Sequence, residues 1–309
     1  MKNEFETAYE RYLAGFAESV TEEQRAAYRR YALGNRDRGR ECVKTLCELL
    51  GSAVAGMRCL DVGSGYGGLL LALAEQGATA MGIEYDSQLF ELSQINIEGE
   101  PHNIPIYQGN FLDRDALPGG VKFDLIIIND VFEHIHDIDY LFRRLDDIAH
   151  EGTAIYLEIP NNRSYHAILK EHHKFVFGLT LIEPGSWAEV TGPFNIYHRP
   201  LSLYGLLFKS IGYDTLTLRD KGESAAGAEQ RIRLAHDAIA LAIDEQPFKS
   251  PRLRDQARVN FARMRRYFEE DVARRSATDL FAEYESYVWA GVVTKRGFRP
   301  RHGYLQFIL

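Results

Sequence analysis

Cysteine is scarce. Three occur in 309 residues (Cys42, Cys47 and Cys59), none in a C-x-x-C pair, so no disulfide framework is encoded and a reducing, cytoplasmic setting is expected. A basic excess is absent: 36 Lys and Arg against 44 Asp and Glu give a formal net charge of −8. Polyphosphate binding needs a basic face, so nucleic acid is disfavoured as a partner, although a local basic patch is compatible with that total. Long apolar runs are also missing. The longest, "GGLLLALA", falls far short of the roughly 18–20 residues that span a bilayer. The opening "MKNEFETAYERYLAGF" is acidic where a secretion signal is basic and then apolar. No membrane partner is therefore expected. Internal repeats and low-complexity segments are absent as well.

The remaining composition, 45% hydrophobic and 26% charged, is that of a globular protein with a sizeable core. Residues 1–55 read as an N-terminal helical cap. "TEEQRAAYRRYAL" opens with a Thr21-x-x-Gln24 capping box, and "GRECVKTLCELLG" stops at Gly51. From Met57 the period changes. "MRCLDV", "ATAMGIE", "NIPIYQG", "FDLIIIND" and "TAIYLEIPN" read as strands, with helical segments between most of them. Apolar strands alternating with helices predict a mostly parallel sheet covered on both faces, a doubly wound, Rossmann-like α/β fold whose ligand sits beyond the carboxyl ends of the strands. The core is assigned to residues 56–221 plus 285–300. Residues 222–284 are assigned to a helical insertion before the last strand and 301–309 to a C-terminal tail. The apolar stripe of the insertion, in "EQRIRLAHDAIALAIDEQ", suits either core packing or a homodimer face.

Gly63, Gly65 and Gly68 satisfy the dinucleotide pattern G-x-G-x-x-G, while Asp61, Gly63, Gly65 and Gly67 satisfy acidic-x-G-x-G-x-G. Either turn brings a ligand against the backbone and a helix N-terminus. Asp61 separates the two readings. A carboxylate at the tip of the first strand repels a pyrophosphate and attracts a cofactor with a sulfonium and an ammonium group. Glu84, at the end of the second strand, can accept both hydroxyls of a ribose, which the two cofactors share.

"LDVGSGYG", "GIEYD", "YQGNFLD" and "FDLIIINDVFEHI" in this order resemble a class I S-adenosylmethionine-dependent methyltransferase over residues 57–220. "AIYLEIPN" and "HRPLSLYGLLFKSIGY" extend the resemblance to the subgroup holding ubiquinone-biosynthesis O-methyltransferases and sugar and natural-product methyltransferases. It implies S-adenosyl-L-methionine as cofactor, with Asp61, Gly63, Ser64, Gly65 and Gly67 around its methionine end. Glu84 would lie on the ribose, Tyr85 over the adenine, Asn110 and Phe111 beside the adenine, and the Asn129 carbonyl near the ammonium. Asn110 stands where the family commonly has Asp, and a turn-capping role competes for it.

Methyl transfer to a hydroxyl benefits from a base, and His is suited to that work. Glu133, His134 and His198 are the candidate catalytic residues, the histidines facing one cleft mouth. A competing arrangement places a divalent metal on Asp130, Glu133, His134 and His198. It resembles the acid-x-x-Glu-His of small-RNA terminal 2′-O-methyltransferases and is not preferred to a metal-free site. A third gives Glu133 and His134 only a loop-tying role. His172 and His173 in "KEHHKF" read as a solvated face. Trp187, Phe194 and Tyr197 either offer rings to an acceptor or simply pack their own loop. The expected function is methylation of a small molecule or glycan, most simply at oxygen. An RNA 2′-O-methyltransferase, a nicotinamide oxidoreductase and a non-catalytic cofactor-binding interaction protein are the alternatives.

Overall fold

The computed structural model describes residues 4–15, 21–192, 195–219, 225–295 and 304–309. In chain order the helices and strands are α1 (Glu4–Ala14), α2 (Glu22–Leu33), α3 (Asn35–Leu50), β1 (Arg58–Val62), α4 (Gly68–Glu75), β2 (Thr79–Glu84), α5 (Ser87–Ile97), β3 (Ile106–Gln108), β4 (Leu125–Asn129), α6 (Ile138–Ile148) and β5 (Ala154–Pro160). They continue with α7 (Tyr165–Leu169), α8 (Trp187–Thr191), α9 (Leu201–Ser210), β6 (Thr215–Arg219), α10 (Ala228–Glu245), α11 (Pro251–Val272), α12 (Ala277–Leu280), β7 (Val288–Thr294) and β8 (Tyr304–Ile308).

The strands form one sheet in the order β3-β2-β1-β4-β5-β7-β6-β8. β1 to β5 pair in parallel, and β7 runs antiparallel to both β5 and β6. Burial explains the apolar runs. Leu125, Ile126, Ile127 and Ile128 of β4 are all buried, with even residues in one core cluster and odd residues in the other. A strand covered on both faces carries no polar alternation. The local punctuation behaves as its chemistry requires: Thr21 and Gln24 make the reciprocal capping box, Asp86 caps α5, and Gly51 takes a left-handed conformation after α3.

One feature departs from the sequence reading and a second falls within it. The tail 301–309 holds a strand: β8 pairs antiparallel with β6, and Leu305, Phe307 and Leu309 alternate into the core. The stripe of the insertion packs within the chain. Ile239 and Ile243 of α10 meet Ile168 and Leu181, and Ile232 meets Phe281 and Tyr284. Helices α10 to α12 thus lie between β6 and β7 against the segment that follows β5. Residues 222–224 at the start of the insertion fall outside the described residues.

Helix α3 lies against α4 with backbone nearly touching backbone. A Cβ on Gly68 would stand 2.5 Å from the Asn35 carbonyl carbon and oxygen, and one on Gly39 2.4 Å from the Gly68 carbonyl oxygen. Gly68→Ala therefore sets a helix-propensity gain of about 1 kcal/mol against an overpacking cost of about 1–3 kcal/mol. The clash is with backbone that cannot rotate away, so a net loss is expected, read as a fall in Tm of several degrees. An unchanged or raised Tm would show that α3 moves freely over α4.

Candidate functional site

A cavity of about 1320 Å³ opens at the carboxyl ends of β1, β2, β4 and β5. Tyr31, Arg38 and Cys42 of α2 and α3 roof it, the Arg38 guanidinium 3.5 Å from the centre of the Tyr31 ring. Its floor is the turn after β1. Gly63, Gly65 and Gly67 all have positive φ (74°, 52° and 76°), and a Cβ on Gly63 would come within 2.6 Å of Val131 Cγ2. Only glycine meets both demands at that position. The turn is tied to β2, since the N–H groups of Gly63 and Ser64 both donate to the Ile83 carbonyl (2.8 and 3.1 Å).

Two carboxylates stand beneath this turn. Glu84, 6% exposed, accepts from Gly65 N (2.7 Å) with Oε2 and from Asp86 N (2.9 Å) with Oε1. Burial raises its pKa, and these N–H donors restrain the rise. Asp61 is buried beside it. Burial first, then the charge of Glu84, pushes its carboxyl up to about 7. Ser64 Oγ and Asn129 Oδ1 are buried without a hydrogen-bond partner among the described residues, which is costly unless a ligand or water supplies one. Tyr85 stands at the cavity 76% exposed, and Phe111 is buried in its wall. Asn110 lines the cavity, but its side-chain oxygen accepts from Leu112 N at 3.0 Å. The turn-capping role is therefore the one its geometry displays.

The segment after β4 begins with Asp130 in the left-handed region (φ 51°), a conformation that Asp tolerates better than most residues. His134 follows at the cavity mouth, exposed, its Nδ1 3.2 Å from the Asn195 carbonyl oxygen. Glu133 beside it is 1% exposed, and neither carboxylate oxygen is hydrogen-bonded among the described residues.

The histidines separate differently from the sequence expectation. His198 does not share the mouth. Tyr197 N donates to the Glu133 carbonyl (2.7 Å), and His198 lies against the Trp187 ring (4.9 Å) in a second cavity of about 400 Å³. Burial lowers its pKa to about 4, so this imidazole is neutral, and its Nε2 has no hydrogen-bond partner among the described residues. His172 and His173 are not a solvated face. His173 Nε2 is 3.6 Å from Glu133 and its Nδ1 3.1 Å from fully buried Glu171. Burial alone would lower the His173 pKa, but the two carboxylates outweigh it and raise it to about 9. His172 Nε2 lies 3.8 Å from Asp130. Glu171, two residues earlier, also accepts from both His173 N (2.8 Å) and Lys174 N (2.5 Å).

Among the described residues, the donor atoms of Glu133, His134 and His173 gather within 4.8 Å of one another. The four-residue metal set read from the sequence is thus not what the fold assembles: His173 takes the place given to His198, and Asp130 stands outside. Trp187 is buried, where its indole donates to the Leu179 and Ile182 carbonyls, and the Tyr197 ring meets His136 at 5.2 Å. Phe194 lies outside the described residues.

A sheet of this order, a D-x-G-x-G-x-G turn after its first strand and a buried acid at the end of the second define a class I S-adenosylmethionine-dependent methyltransferase. A family model described as a methyltransferase domain matches residues 34–216, more than half of the chain, and the chain belongs to that family. It is an enzyme whose cofactor is S-adenosyl-L-methionine. A ubiquinone biosynthesis O-methyltransferase of Brucella anthropi is 27% identical over 106 residues, and the match spans 34% of this chain and 42% of that relative. Among solved structures, magnesium protoporphyrin IX methyltransferase from Synechocystis PCC 6803 is 16% identical at a TM-score of 0.46, over 68% of this chain and 85% of its own. Phosphoethanolamine N-methyltransferase 2 of Haemonchus contortus is 14% identical at a TM-score of 0.46, over 83% of this chain and 52% of its own.

The residues present fit this cofactor. A buried carboxyl held near neutral pKa is stabilised in its charged form by an ammonium or sulfonium, and Asn129 Oδ1 is an unused acceptor in the same cavity. Among the described residues, no helix is long and apolar enough to cross a membrane.

Proposed function

We propose that the chain methylates an oxygen of a small-molecule acceptor in a cytoplasmic setting, with His134 taking the proton. The observation that carries the reading is the His134–Asn195 contact. A carbonyl oxygen only accepts, so Nδ1 carries the hydrogen, and in the neutral ring Nε2 then holds the lone pair. When bound, S-adenosyl-L-methionine supplies a methyl group on a positively charged sulfur. The chain's residues do the rest. Asp61 and Asn129 face the ammonium, Glu84 accepts the ribose hydroxyls, and Tyr85 covers the adenine. His134 Nε2 receives the hydroxyl proton as that oxygen gains its methyl group, and the lid of α2 and α3 excludes water. The name of the Brucella relative, an O-methyltransferase, also supports oxygen. The free thiols Cys42, Cys47 and Cys59 support a reducing compartment.

A metal-assisted variant of the same reaction has one observation in its favour, the gathering of Glu133, His134 and His173. Any metal there would have to displace the proton that the Glu133 and Glu171 carboxylates favour on His173. The metal-free reading is therefore preferred. Titration calorimetry with S-adenosylhomocysteine tests the cofactor site, and silence there while NAD gives heat would end the reading. Turnover with a hydroxylated acceptor after exhaustive chelation tests the metal.

Asp61 adds a test in pH. Its pKa is higher in the folded chain than in the unfolded one, so between about pH 4 and 7 the unfolded chain releases a proton that the folded chain keeps, and the ligand-free protein loses stability as the pH rises. A bound ammonium reverses the preference. Affinity for S-adenosylhomocysteine should therefore rise up to about ten-fold per pH unit towards pH 7 and level off above it. The Tm gain at saturation should be larger at pH 8 than at pH 6, and Asp61→Asn should flatten both trends. An affinity of the unsubstituted protein that ignores pH would contradict this role.

A further inference from the structure

A third cavity, of about 490 Å³, adjoins the cofactor site, and Arg219 at the end of β6 lines both. Its other walls include His166, Lys170, Phe175, Phe281 and Tyr287. No acidic residue is among its lining. Lys170 and Arg219 make no ion pair among the described residues. Their neighbours behave otherwise: Arg163 sits on Glu283, Arg231 on Glu285, and Arg275 on Asp271. In a chain with eight more acids than bases, two cations without an acidic partner among the described residues, both lining one cavity, mark a place for an anion from outside.

The rest of the lining describes the body that carries the charge. Phe175 and Leu169 form an apolar rim, 46% and 45% exposed. Phe175 has φ 58°, a strained conformation for a bulky residue, and such strain persists where a ligand site needs it. Its ring lies 4.8 Å from Lys170 Nζ, so an aromatic face and a cation are presented together. The partition from the cofactor cavity is thin. The Tyr287 hydroxyl donates to the Lys170 carbonyl (3.2 Å), and its ring stands 5.1 Å from His172, which already lines the cofactor side with His134.

Building on the oxygen-methylation reading, we propose that this cavity holds the acceptor and selects an aromatic molecule bearing an oxyanion, carboxylate or phosphate. Arg219 and Lys170 hold the anion, the rim covers the ring, and the hydroxyl to be methylated lies beyond His172 at the mouth of the cofactor cavity.

The test uses the full chain saturated with S-adenosylhomocysteine, with benzoate, phenyl phosphate and neutral benzamide as probes followed by ligand-observed NMR. One or both anions should bind saturably, at least ten-fold tighter than benzamide, and weaken as NaCl is raised. The stronger of the two identifies the anion. Arg219→Gln with Lys170→Gln should abolish the preference while the affinity for S-adenosylhomocysteine stays within two-fold. Lys170→Gln alone, at an exposed position, should reduce it several-fold without risk to the fold. Equal binding of anion and amide by the unsubstituted protein overturns the proposal, as does a preference that survives both substitutions. A double variant that loses S-adenosylhomocysteine while keeping its Tm overturns it too, because Arg219 would then serve the cofactor. If the unsubstituted protein binds no S-adenosylhomocysteine, the failure lies with the cofactor reading instead.

Discussion

Replacing Glu84 with Gln is expected to weaken S-adenosylhomocysteine binding by about two orders of magnitude. Both Glu84 oxygens already accept backbone N–H groups, from Gly65 and from Asp86. Each keeps a second lone pair, which is how one side chain can shape the glycine turn and accept a ribose diol together. A glutamine has one oxygen. Its amide nitrogen would face either Gly65 N–H or Asp86 N–H, donor against donor, in a site that is 6% exposed. Hydrogen bonds to a charged acceptor contribute about 1.5–3 kcal/mol each, and 1.4 kcal/mol is a factor of ten. Losing the equivalent of one or two therefore gives about 10²-fold. Calorimetry measures it, and a change under three-fold would remove Glu84 from the cofactor site. The 2′-deoxyribose analogue separates the two effects. If Glu84 contacts the ribose, the hydroxyl deletion should weaken the unsubstituted protein strongly and the variant little. If Glu84 only shapes the turn, the two losses should add.

The parts of this site that could be read from the sequence are those whose geometry is local. The turn from Asp61 to Gly67 and the acid Glu84 follow strand ends, and a strand end is visible wherever an apolar run such as "LIIIN" stops. The capping box at Thr21 was equally legible, because its two hydrogen bonds span three residues. The segment from Glu171 to His198 was not. Its conformation depends on partners far away in the chain: Leu181 packs with Phe261 of the insertion, and Asn260 of α11 donates to the Leu181 carbonyl (2.8 Å). No period within "KEHHKF" announces that His173 will lie between two buried carboxylates, one of them Glu133, forty residues earlier. His198 was misplaced for the same reason. Its ring orientation is set by Trp187 and by the Tyr197–Glu133 backbone contact. Strand β8 was hidden by its shortness and by an arginine- and glycine-rich approach, although "YLQFIL" does alternate.

His134→Ala is expected to lower kcat for a hydroxyl acceptor by about 10²–10⁴-fold, the usual span for losing a general base. S-adenosylhomocysteine affinity should change less than two-fold, since His134 stands exposed at the mouth, where its ring meets the Asn195 carbonyl and the His173 ring. A structural role would show differently. If His134 merely held the loop, removing it would release the 131–136 segment beside Gly63, and cofactor affinity and Tm would fall along with turnover. The acidity of the acceptor supplies a sharper criterion. A base is needed only while the nucleophile carries its proton, so the loss should be large with an ordinary phenol and small with a nitrophenol already ionised at the assay pH. A metal at Glu133, His134 and His173 would give another pattern, because a Lewis acid binds an ionised oxygen as readily as it helps to create one. His134→Ala would then slow both acceptors alike, and chelation would reproduce the defect in the unsubstituted protein. Equal losses with both phenols would therefore retire the proton-acceptor role even if kcat fell by the full amount.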